Sequence, residues 1–172
     1  GVYAPNFNPD ADFTPPSKIA LVGQKYGERE KIINYLKSQN LDAKGLGSGW
    51  GKRLSHQQMI NIFAHAKINI SPASSSILFA PKQMKARFFE VAACGGFQLA
   101  GEVQELNDYF KFGKEIDTYS SLQDLAQKCQ YYLQNDSKRA NMAKKAKARC
   151  LEEHTYQKRY KKIFSSIEKH LK

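Results

Sequence analysis

The sequence is short of cysteine, histidine, tryptophan and acidic side chains, and it has no long apolar run. Its three cysteines, Cys94, Cys129 and Cys150, are an odd number without metal-type spacing. No zinc site is implied. All three fall in helical patterns, where a free thiol acts as a small apolar residue. A reducing cytoplasm is the simplest expectation. The four histidines, His56, His65, His154 and His170, are scattered, and no Ser/His/Asp or Cys/His set can be assembled from them. Structural roles are expected for each. No apolar stretch approaches the ~20 residues needed to span a bilayer. The Pro- and Asn-rich N-terminus also lacks the apolar core of a signal peptide.

Acidic residues number 16 against 27 Lys and Arg, a net charge of +11. The excess is uneven: Ser137 to Lys172 holds twelve Lys/Arg and three Glu, or +9. Such a field attracts nucleic acid, anionic lipid or acidic ligands, while a solvated basic helix face accounts for it equally well.

A length of 172 residues suits one domain with a real core. Residues 1–17, with Pro5, Pro9, Pro15 and Pro16, read as an irregular leader or linker. The periodicity then predicts a strand over 18–22, a helix over 28–39 and a weak strand over 42–46. A Gly-rich loop follows around Trp50, whose ring can stack on a base or pack on the sheet edge. Ser55 predicts the cap of a helix to His65. Further expectations are a strand over 67–70, a Ser/Ala/Pro loop over 71–81 and a helix from Gln83 to Cys94. Beyond it come a strand over 97–100, a helix over 103–110 and a strand over 115–119. Three helices follow, with Ser121 and Thr155 as caps. Strands alternating with helices imply a parallel sheet covered on both faces. The fold class is thus a Rossmann-like three-layer αβα domain of about five strands with extra C-terminal helices.

Ligands on such sheets bind outside the carboxyl ends of the strands. After the first strand, Gly23 to Gly27 reads GQKYG, a turn that either approaches a phosphate or is simply tight. It matches neither the dinucleotide fingerprint nor a Walker loop. The most informative segment is Arg87 to Gly96, RFFEVAACGG. It puts one carboxylate, Glu90, in an otherwise apolar helix, which is costly without a partner. Arg87, three residues earlier, shares its face and supplies a local ion pair. A carboxylate there can also accept both hydroxyls of a vicinal diol. Lys82, Lys85 and Arg87 are expected at the start of this helix, where they would meet a diphosphate or simply face solvent. Gly95 and Gly96 end the helix. Gly101, Glu102 and Val103 form the next strand-end turn, although Glu102 and Glu105 would oppose an anion. The run Ser74–Ser76 has no evident base and reads as loop.

Three stretches together, RFFEVAACGGFQLAGEVQELNDYF, FGKEIDTYSSLQDLAQKCQYYL and EEHTYQKRYKKIF, resemble the C-terminal half of group 1 glycosyltransferases, most of all the CgeB-like branch. The features are Arg87, Phe89 and Glu90 on one helix, the stop at Gly95, the run Gly113 to Ile116, and His154 to Tyr156. The resemblance covers about 18–165 and is strongest over 82–165. It implies a GT-B enzyme whose Rossmann-like C-terminal domain binds a nucleotide-diphosphate sugar, retaining and with no metal. Glu90 aligns with the second Glu of the family's E-x7-E element and would contact the ribose. The first Glu falls at Lys82, a departure that bears on the sugar contact. Lys82, Lys85, Arg87 and the backbone at Gly23 and Gly27 would meet the diphosphate, with Gly101, Glu102 and Val103 beside the donor. Residues 1–17 would be an interdomain linker, the acceptor-binding N-terminal domain would be a partner, and this domain alone would turn over poorly.

Two other classes stay open. One is a non-catalytic basic module docking on anionic membrane or nucleic acid, of which nucleic acid is the less expected partner. The other is a flavodoxin- or receiver-like regulator. A receiver needs acidic residues at the ends of early strands, and Val22-Gly23 offers none.

Overall fold

The computed structural model describes residues 1–73 and 82–170, so the expectation for Ser74–Ser76 lies outside the described residues. The described chain runs β1 (Ile19–Val22), α1 (Arg29–Ser38), β2 (Ala43–Leu46), α2 (His56–His65), β3 (Ile68–Ser71), α3 (Ala86–Cys94), β4 (Gln98–Gly101), β5 (Asp117–Tyr119), α4 (Leu122–Leu133), α5 (Asp136–Glu153) and α6 (Tyr156–His170). The strands form one parallel sheet in the order β2-β1-β3-β4-β5.

Successive side chains of β1 point to opposite faces, and both faces are buried. Ile19 and Leu21 pack under α1 and α4, with Ile33, Leu36, Leu125 and Cys129. Ala20 and Val22 pack under α2 and α3, with Ile60, Phe63 and Val91. This double covering is why β1 and β3 read as nearly unbroken apolar runs. Beyond β4, α3 and α5 share a third cluster in which Phe88, Phe110 and Ile116 are fully buried. Each such side chain contributes about 1.5–3 kcal/mol by leaving water.

Local chemistry sets several boundaries. Ser55 caps α2 through a full capping box: its side chain accepts from the Gln58 backbone, and the Gln58 side chain returns to Ser55. Ser121 caps α4, and the Lys158 N–H reaches the Thr155 hydroxyl at 3.3 Å at the start of α6. Gly95 closes α3 in the left-handed conformation at φ 80°. The ring of Trp50 lies against Gly45 of edge strand β2, so the packing role holds there.

Three elements differ from the sequence reading. α3 starts at Ala86, not Gln83, because Lys85 has extended backbone. The expected helix after β4 is only a 3-10 turn over Gln104–Asp108. β5 begins at Asp117, because Gly113 to Ile116 forms a turn, in which Glu115 accepts from the Lys111 N–H and from Arg149 at 2.7 Å. The irregular N-terminal segment is fastened to the body. Val2 is buried beside Thr155, and Asn61 and Asp10 exchange hydrogen bonds at 2.9 and 2.6 Å.

The α3–β4 turn leaves no room at Gly96, where a Cβ would stand 2.1 Å from the Phe63 carbonyl oxygen. We expect Gly96→Ala to destabilise the fold by about 1–3 kcal/mol through overpacking. Gly51→Ala, at a position with nothing within 4 Å, should be near neutral. Urea unfolding of the two variants measures the contrast.

Candidate functional site

The strand order changes direction between β1 and β3, since β2 lies to one side of β1 and β3 with β4 and β5 to the other. At such a switch point the loops part and leave a crevice at the carboxyl edge. Three cations gather there, each donating to a backbone carbonyl at or just beyond a strand end. Arg87 Nη1 donates to Val22 at 3.0 Å, Lys85 Nζ to Pro72 at 3.0 Å and Arg29 Nη1 to Gln24 at 2.8 Å. Arg87 also lies over the Phe63 ring at 4.8 Å, and Arg29 over Tyr26 at 4.3 Å. These planar contacts hold each guanidinium in one orientation.

Glu90 is the carboxylate paired with this group. Its Oε2 lies 3.1 Å from Arg87 Nε, one turn earlier on α3, and its side chain is 30 % exposed. It is thus fixed on one side and open on the other. Burial lowers the affinity of Lys85 for its proton, and the charges of Arg29 and Arg87 add to this, bringing its pKa down to about 8. Burial also lowers the pKa of Arg87, opposed by Glu90. A strand edge this rich in positive charge attracts an anion.

The remaining expected residues separate into different places. Gly23, at φ 140°, follows β1 and lines a cleft of about 300 Å³ with Val22, Gly47, Arg53, His56 and Met59. A Cβ on Gly23 would meet Arg29 Nη1 at 2.5 Å, so the glycine admits the arginine. Gly27 turns away and borders a shallow groove along α1 with Lys31 and Tyr35. Lys82 stands before α3, not on it, 3.9 Å from the exposed Glu102. Together with Val103, Glu105 and Phe112 they line a second cleft of about 650 Å³ beyond β4. Gly101 serves close packing, since a Cβ there would lie 2.6 Å from the Ala73 nitrogen.

Arg29 was not singled out by the sequence reading. Its signal was present: a cation in the first turn of α1 opposes the helix dipole, which favours anions there. Three histidines are held by neighbouring groups. His56 and His65 bond the carbonyls of Asn6 and Asp10, and His154 packs edge-on to Phe89, Tyr109 and Phe110. Cys94, Cys129 and Cys150 are buried, and burial raises their thiol pKa values to about 12, 12 and 11. Among the described residues no three His, Cys, Asp or Glu side chains are grouped to hold a metal ion.

The five-stranded parallel sheet with helices on both faces matches the Rossmann-like domain of GT-B glycosyltransferases. The sequence profile of the glycosyl transferase-like family matches residues 19–165, and the chain belongs to that family. Among solved structures, a glycosyltransferase from Rickettsia africae is 15% identical, with a TM-score of 0.75 over 100% of this chain and 56% of its own. Anabaena HepE in complex with UDP-glucose is 12% identical, with a TM-score of 0.71 over 88% of this chain and 48% of its own. The C-terminal domain of the group 1 glycosyl transferase LpcC from Francisella tularensis is 11% identical, with a TM-score of 0.68 over 91% of this chain and 100% of its own. The chain therefore spans about half the length of the first two. No curated protein matches it.

The crowding at Lys85 has a consequence for stability. Below about pH 8 the ammonium is charged in folded and unfolded chains alike, and the folded state bears the full repulsion. Between about 8 and the ordinary value of 10.5 the folded chain has released the proton and the unfolded chain has not. Stability then rises with pH. Relative to Lys85→Met, the wild type should gain about 1 kcal/mol between about pH 7.5 and pH 10, after allowing for solvent screening. Urea unfolding at the two pH values measures it.

Proposed function

We propose that this chain is the donor-binding domain of a glycosyltransferase and holds a nucleoside-diphosphate sugar at the β1/β3 switch point. The observation that carries this reading is the arrangement of Arg29, Lys85 and Arg87 around the strand ends with Glu90 fixed at their side. The cations meet the diphosphate, and Glu90 accepts hydrogen bonds from the two ribose hydroxyls. The complex of HepE with UDP-glucose, a protein of the same fold, supports a nucleotide sugar as the ligand.

In glycosyl transfer the bond from the sugar to the diphosphate breaks, and negative charge grows on the leaving phosphate oxygen. Cations already held by Val22, Pro72, Gln24 and the Phe63 and Tyr26 rings meet that charge without reorganising. The sugar extends toward the second cleft, where Lys82 and Glu102 stand beside Gly101 and Val103. The CgeB-like branch and a retaining, metal-independent reaction rest on the resemblance of Arg87, Phe89, Glu90, the Gly113–Ile116 run and His154 to Tyr156. The chain's span of about half of its structural neighbours supports an acceptor-binding domain elsewhere in a longer polypeptide, joined through residues 1–17. Action in a bacterial cytoplasm belongs to the same reading.

Calorimetry with uridine diphosphate and its 2′,3′-dideoxy analogue, alongside the adenosine and guanosine pairs, tests the roles separately. Glu90→Ala should weaken the ribonucleotide about tenfold or more, the loss of charge-assisted hydrogen bonds, and leave the dideoxy analogue within about twofold. Arg87→Ala should weaken both. Equal affinity of wild type and both variants for every nucleotide would refute the assignment. Binding at about pH 8.5 should also take up a proton as the diphosphate restores the Lys85 charge, visible as a buffer-dependent enthalpy.

A further inference from the structure

The cleft of about 300 Å³ beside the cationic crevice has no role so far, although the two meet at Val22, which lines the cleft and whose carbonyl receives Arg87. Two loops form one side of it. The Gly23 N–H donates to Leu46 at 2.8 Å and the Lys25 N–H to Ser48 at 2.8 Å, so the chains leaving β1 and β2 stay paired beyond the sheet. They run so close that a Cβ on Gly47 would stand 2.9 Å from the Gly23 carbonyl oxygen. The start of α2 and the loop before it supply Arg53, Leu54, His56 and Met59. Leu54 and Met59 are half-buried apolar groups, and a thioether packs well against a flat ring. Arg53 and His56 are exposed and polar.

We infer that this cleft seats the base of the nucleotide and selects one whose edge places a carbonyl next to a ring N–H. The inference rests on the reading that the crevice binds a nucleotide. His56 Nε2 lies 3.2 Å from the Asn6 carbonyl oxygen. A carbonyl only accepts, so Nε2 carries the ring proton and Nδ1 of the neutral imidazole is a bare acceptor. The Phe7 ring meets His56 edge-on at 6.0 Å between centroids and holds the ring from a second direction. Arg53 can only donate. An acceptor and a donor on one short segment match the N–H and C=O edge of uracil, hypoxanthine or guanine. Cytosine and adenine present the reverse, a bare ring nitrogen beside an amino group. Against them a lone pair would face the His56 lone pair, and a donor would face Arg53. Polar groups left unpaired in this way are what make a site reject a near-isosteric ligand.

Calorimetry on the 172-residue chain tests this with pairs that differ only at that edge: uridine against cytidine diphosphate, and inosine against adenosine diphosphate. The wild type should favour the first member of at least one pair by about tenfold or more. His56→Leu should bring that ratio within about twofold, and Arg53→Met should lower it by about threefold or more. The ratio is the readout because a looser contact with Asn6 would weaken both members of a pair alike. Both side chains are exposed, so thermal midpoints near that of the wild type check folding. Ratios near one in both pairs, or ratios that neither variant changes, would overturn the inference. If binding still depended on Glu90 and Arg87 in that case, the nucleotide reading would stand without it. Absence of any nucleotide binding would overturn both.

Discussion

The hydrogen bond from Arg87 to the carbonyl of Val22 is the constraint around which the crevice is arranged. It runs from the first turn of α3 to the end of β1, across the point where the strand order reverses. A parallel strand that ends at a crevice leaves carbonyl oxygens without a ladder partner, and a buried one is costly unless met. The arginine meets it and in doing so carries a positive charge to the carboxyl edge. Its side chain is only 26 % exposed, and Glu90 and the Phe63 ring occupy its other flanks. One interaction therefore satisfies the strand end, orients Glu90 and sets the sign of the potential.

Around that anchor the cations divide into two groups with different physics. Arg29, Lys85 and Arg87 crowd one another and are held by carbonyls, a costly arrangement that a bound anion relieves. Lys82 faces Glu102 in water, where a pair at 3.9 Å is worth little, and it is available for other partners. On the proposed function, the first group would serve a diphosphate, which needs fixed charge, and the second a sugar, which needs adaptable hydrogen bonding.

Much of this was legible beforehand because it depends on short-range rules. The apolar run Ile19–Val22, the Ser55 cap and the Gly95 stop are each written within a few residues, and each stands where its spacing places it. The pairing of Arg87 with Glu90 follows from helical periodicity alone. The start of α3 was misjudged because Lys85 takes an extended backbone while its ammonium reaches Pro72, a contact made by tertiary packing. The 3-10 turn after β4 and the late start of β5 have the same origin. Their apolar residues Leu106, Phe110 and Ile116 are buried against α3 and α5 whatever the local geometry.

By itself the sequence determined the alternation of strands and helices, the double burial of the sheet and the family resemblance, since periodicity and composition are local properties. It also determined where positive charge is concentrated along the chain. Only the tertiary structure decided which charges meet. Arg29 and Arg87 are 58 positions apart and come together because α1 and α3 begin beyond the ends of β1 and β3, the two strands that flank the switch point. Lys82, only three residues from Lys85, is sent to a different cleft. Likewise Tyr160, Ile163, Phe164 and Ile167 share one side of α6 and are exposed in this domain. A helical pattern says which residues share a face, but not whether another element will pack on it.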